Sequence, residues 1–206
     1  MTSPEFRRSG AWLPALVLAA TIAQLAVATF VPIDRFEGKA FGARLIAYPL
    51  MMLVAPALWW WVVGRRPSGP GRPADAPFGA FALVMLPFLI DVTGNSLDLY
   101  DSIEWWDDAN HFVNWFLLLT GIGLLVVRPG RPVLETVLFV GGLGAVLAIG
   151  WELGEYWTFI RHGTELDTAY TDTLGDETLG TLGALLAGVV VARGARARSR
   201  SGTSDR

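Results

Sequence analysis

The chain contains no cysteine. That excludes disulfides and thiolate metal sites, and it leaves the redox compartment unreadable from this residue. Lysine is almost missing as well: of 16 basic residues only Lys39 is a lysine, and the two histidines are His111 and His162. Only 17% of residues are charged, and no polar stretch is long enough to build a soluble domain. The phosphate-cradling Gly-Lys-Ser/Thr loop, the Gly-x-Ser-x-Gly nucleophile and the His-Glu-x-x-His zinc motif are all absent. Serine is scarce near the acidic stretches (Ser96 and Ser102). A nucleophile there would have to be a carboxylate, a threonine such as Thr173, or an activated water.

What the chain has in abundance is apolar residues, 52% of the total. They run in blocks of about twenty, the length that crosses a bilayer core as helix. The pattern predicts an all-α polytopic membrane protein, a single-domain bundle over residues 1–192. Six transmembrane helices are expected at about 11–31, 41–63, 78–97, 109–127, 133–157 and 172–192. Ala26-Val-Ala28 resembles a signal cleavage site, but the apolar run is long for a signal and favours a retained helix. Trp59-Trp60-Trp61 reads as an interfacial aromatic belt, as do Trp105, Trp106, Trp151 and Trp157. Residues 65–77 form a Pro/Gly-rich loop, and the Arg/Ser/Gly-rich tail 193–206 is expected to be disordered.

Six spans place both termini on one side. Twelve basic residues fall on that side, against Arg35, Lys39, Arg44 and Arg161 on the other, so the positive-inside rule puts both termini in the cytoplasm. The acids are distributed oppositely: only Glu5, Asp75, Glu135 and Asp205 lie near cytoplasmic ends. A net charge of −3 conceals this polarity. The arginine tail is read as an anchor at the anionic inner leaflet, with no nucleic-acid partner.

The acidic residues concentrate in three stretches: 98–111, with five carboxyl groups and His111, then Trp151 to Tyr156, then Asp172 to Glu177. In the sixth span Asp172, Asp176, Gly180, Ala184 and Gly188 are spaced by four, so the aspartates extend a small-residue packing ridge and should point inward. In the fifth, Gly141, Ala145, Ala148, Glu152 and Glu155 form a seam that becomes acidic in its last turns. In the fourth, Asp107, His111 and Asn114 share a face, and Asp108 lies three before His111. In the third, Asp91, Asn95 and Asp98 share a face, with Pro87 one turn before Asp91. Four helix ends thus present acids at similar depth, where ionised groups face a cavity, a partner or an ion.

Crowded carboxylates need a counterion. Arg44 and Arg161 can neutralise some of them, which is the structural reading. The sharper reading is a divalent metal ion on Asp108, His111, Glu152, Glu155, Asp172 and Asp176, with Asp91, Asn95, Asp98, Asp101 and Asp107 lining the pocket. A hydrolytic site of this kind would use Glu152 or Asp176 as general base on a lipid-linked or envelope substrate. The competing readings are a proton- or cation-coupled transporter relaying through Asp91, His111 and Glu152, and a structural or assembly protein with arginine-paired acids. His162 reads as a solvated loop residue.

The order Asp108-x-x-His111-Phe112, Glu152-x-x-Glu155, then Asp172-x-x-x-Asp176 leading into Gly180 and Gly183 resembles the YjdF-like family of uncharacterised membrane proteins, and more distantly the VanZ-like proteins associated with glycopeptide resistance. The match covers roughly residues 91–188. Nine residues separate Tyr100-Asp101 from His111, so Asp101 and Asp108 compete for one family position. The resemblance implies a bacterial inner-membrane protein and the location of the site, and no settled chemistry.

Overall fold

The computed structural model describes residues 10–64, 76–158, 160–162 and 164–204. Arg7, Arg8, Arg65, Arg66, Arg72 and Arg206, which enter the charge count above, lie outside the described residues. The described chain is helical: α1 (Trp12–Phe30), α2 (Phe41–Trp59, continued by a π-helical turn Trp60–Gly64), α3 (Phe78–Ser96), α4 (Leu99–Ser102), α5 (Trp106–Val126), α6 (Val133–Thr158) and α7 (Ala169–Ser204). Six of these are long and apolar enough to cross a membrane, and the chain is a multi-pass membrane protein.

The chain forms two compact units, Met1–Ile103 and Glu104–Arg206. In the first unit α1 packs against α2 and α3. Its buried residues Pro14, Val17, Thr21, Leu25 and Ala28 recur every three or four residues, one stripe of a helix. The Thr21 hydroxyl donates to the Val17 carbonyl at 2.8 Å, so a polar group sits in this seam without an unmet bond. Thr93 of α3 donates to the Gln24 side-chain oxygen of α1 at 3.1 Å, and Tyr48 of α2 meets Phe88 of α3 edge to face.

In the second unit α7 packs along both α5 and α6. Small residues make this possible. A Cβ added at Gly183 would lie 2.3 Å from the Phe112 carbonyl oxygen of α5, and one at Gly188 would lie 2.9 Å from Val137 Cα of α6. The α6 seam runs Gly141, Gly144, Ala148 and Glu152, with Gly144 rather than Ala145 at its centre. Trp115, Leu119, Val140, Ala184, Ala187 and Val191 fill the core.

Two ends differ from expectation. α5 starts at Trp106, a turn before residue 109, because Asp107 and Asp108 suit the positive N-terminal end of a helix. α7 continues to Ser204, so the tail expected to be disordered from residue 193 is helical. Its alternating Ala and Arg are strong helix formers, and Ala192 and Ala195 are still buried.

Candidate metal centre

The first turns of α5 and α7 bring a metal-capable group together. Asp107 and His111 are four apart on α5 and share a face. His111 Nε2 lies 3.6 Å from Asp107 Oδ1 and 3.5 Å from Asp176 Oδ1 of α7. One ligand atom from each of Asp107, His111 and Asp176 falls within 4.8 Å of the others, so the three can hold a metal ion. Asp176 is only 4% exposed. It lies near the like charges of Asp107, Asp172, Glu152 and Glu155. Among the described residues no lysine or arginine comes within ion-pair distance of Asp176 or Glu152.

Glu152, 7% exposed, continues the packed seam of α6. Thr173 of α7 donates to Glu152 Oε2 at 3.2 Å. This bond fixes one carboxylate oxygen and leaves the other to accept a proton. Asp172 and Asp108 are exposed, contrary to the expectation that Asp172 points inward. Asp108 faces the Gly175 backbone of α7, 4.0 Å from where a Cβ there would stand. Glu155 is half-buried one turn beyond Glu152. Arg161, weighed above as a partner for the acids, stacks over the Trp157 ring at 4.6 Å.

The acids of the third span are held by a separate set of contacts within the first unit. Asp91 receives Arg44 Nη1 at 3.0 Å, the Tyr48 hydroxyl at 2.5 Å, Asn95 Nδ2 at 3.1 Å and the Tyr100 hydroxyl at 3.1 Å. Four donors fill the acceptor capacity of one carboxylate, so Asp91 is a satisfied structural acid. Asp98 and Asp101 both bind Lys39, at 2.5 and 3.0 Å. Sequence reasoning missed Lys39, Tyr48 and Tyr100. Arg44 and Tyr48 carried a signal, because a cation and a phenol four apart on an apolar helix share one face.

Compared with protein-family models, curated proteins and solved structures, the chain matches none. The resemblance to YjdF-like proteins therefore rests on the motif residues alone.

Proposed function

We propose that the second unit binds a divalent cation on Asp107, His111 and Asp176 and acts on a lipid-linked or envelope substrate at that end of the bundle. The carrying observation is the convergence of two carboxylates and one imidazole from two helices, with the buried Asp176 carboxylate lacking a lysine or arginine partner among the described residues. A buried acid of this kind must be neutralised by a proton or by a cation from elsewhere, and the imidazole and second carboxylate beside it suit the cation. Mixed oxygen and nitrogen ligation suits Mg, Mn or Zn. Such an ion would offset the charge of an anionic substrate and ease deprotonation of a water near neutral pH. We assign the role of accepting that proton to Glu152, whose other oxygen is held by Thr173.

Among the alternatives, the relay through Asp91 loses support because Asp91 is saturated with donors. The arginine-paired structural reading fits the first unit, where Arg44 and Lys39 compensate three acids.

The test is elemental analysis of protein purified without chelator and supplied with metal. About one ion per chain is expected in the wild type and none in a folded Asp107→Asn/His111→Gln/Asp176→Asn variant. Asp108→Ala should keep its metal, because Asp108 is exposed and lies outside the three-ligand group. Chelation should also lower thermal stability, by about 2.7 kcal/mol relative to metal at a hundred times its dissociation constant. Equal metal content in wild type and triple variant would remove the site.

A further inference from the structure

The first unit contains an arrangement that the metal site does not use. Lys39 follows the short 3₁₀ turn Asp34–Phe36 and stands just before α2. Its ammonium reaches three oxygens: the Asn95 carbonyl at 3.4 Å, Asp98 Oδ1 at 2.5 Å and Asp101 Oδ2 at 3.0 Å. Those oxygens belong to the last turn of α3, the N-cap residue of α4 and α4 itself. Beneath them Tyr100, also on α4, donates to Asp91 at 3.1 Å, and Asp91 pairs with Arg44. One four-residue helix is therefore tied to Lys39 through the exposed Asp101 carboxylate and to a largely buried ion pair through Tyr100.

We propose that α4 is a lid over the Arg44–Asp91 pair and that Lys39 is the latch holding it shut. A single helical turn is not stable by itself, so α4 depends on these ties. Both ends of the latch carry strain. Ala40 (φ 51°) and Asp98 (φ 63°) are the only non-glycine residues with positive φ among those described, and they stand next to and in the bridge. Left-handed backbone is unfavourable for residues with a Cβ and persists where surrounding contacts hold it. Breaking the bridge would release both corners. It would also let Tyr100 leave Asp91, admitting water to an ion pair whose members are 17% and 18% exposed. The outer ties are wet, with Asp98 and Asp101 exposed at 44% and 67%, so salt weakens them more than the inner pair.

The pH response follows from the groups facing the latch: Lys39, Asp98, Asp101 and Arg35 around it, with Asp91, Arg44, Tyr48 and Tyr100 beneath. Hydrogen bonding to Lys39 holds Asp98 below the ordinary carboxylate range. Burial works against the Lys39 charge, but its bonds to Asp98 and Asp101 prevail and raise its pKa. The lowered acid supports the latch above its unfolded value and fails only as pH falls through the lower folded one. The raised amine supports it below its unfolded value and fails only as pH rises through the higher folded one. The latch therefore holds between about pH 4 and 10.

The absence of cysteine allows a single reporter. The Ser96 hydroxyl, at the end of α3, is buried and has no hydrogen-bond partner among the described residues, so Ser96→Cys places a thiol there. With a neutral, polar thiol reagent and protein in nanodiscs, labelling should quicken at least about fivefold when Lys39→Gln or Asp98→Asn/Asp101→Asn is added. A second reporter, Thr120→Cys in the other unit, should label at an unchanged rate. Unchanged labelling at residue 96 in both backgrounds overturns the lid, and so does equal acceleration of both reporters, which would mean general loosening. If the added variants do not fold, salt decides with Ser96→Cys alone: labelling should rise between about 0.05 and 0.5 M salt, and a flat response overturns the latch. Rates divided by the thiolate fraction at each pH should be level between about pH 5 and 9, and a step within that window also overturns it.

Discussion

Gly183→Val abolishes the fold of the second unit, seen as loss of monodisperse protein in mild detergent. A Cβ at residue 183 meets the Phe112 carbonyl oxygen at 2.3 Å and the Phe116 nitrogen at 3.1 Å. Both are backbone atoms of α5, so no rotamer change relieves the clash, and the two helices must separate. Gly183→Ala alone should cost about 3 kcal/mol in thermal or denaturant unfolding, the upper end for overpacking a well-filled core. The comparison is Gly142→Ala on α6, where an added Cβ meets nothing within 4 Å. There the better helix propensity of alanine should leave stability unchanged or raise it by up to about 1 kcal/mol. If Gly183→Ala and Gly142→Ala behave alike, the close α5–α7 approach is wrong.

Arg44→Met carries the second large effect. It removes the cation from Asp91 while leaving Tyr48, Asn95 and Tyr100 as donors. An ionised carboxylate in a membrane helix without its cation is costly, and breaking such a pair from one side loses about 3–5 kcal/mol. Asp91→Asn in the same chain removes the orphaned charge, so the double variant should recover most of the loss. Stabilities of the wild type, two single variants and the double variant form the cycle. Additive losses would show that Arg44 and Asp91 do not act as a pair.

The spans were legible because each is a long apolar run, and runs of that length have one common solution in a bilayer. The grouping of helices was not. All six spans have similar apolar composition, and the charge distribution reports depth without reporting which helix neighbours which. Asp91, Asp98 and Glu152 therefore read as parts of one pocket, although the first two are held by Arg44 and Lys39 within the first unit. Lys39 entered only as a charge in the topology count, and Arg44 as a counterion with no particular acid assigned to it.

The choice between Asp107 and Asp108 was nearer to hand. Neighbouring residues on a helix point about 100° apart, so only one can stand on the buried row. Asp107 stands on the row His111, Trp115, Leu119, whose last two members are buried core, while Asp108 is exposed. The apolar end of that row was a guide to its polar end. In α7 the same rule separates buried Asp176, one turn before buried Gly180, from exposed Asp172, which lies beyond the packed part of the ridge.

The glycine contact at residue 183 also fixes how the second unit tolerates change in chain length. Asp176 and Gly183 stand seven residues apart, nearly two full turns, so the acid and the seat of the helix point the same way. One residue inserted between them would leave Gly183 seated on α5 and swing Asp176 about 100° around the axis, out of reach of His111. The Asp107–His111–Asp176 group is thus set by angular phase along α7. Its lipid-facing side chains can drift in identity, while the spacing between residues 176 and 183 cannot change without dismantling the site.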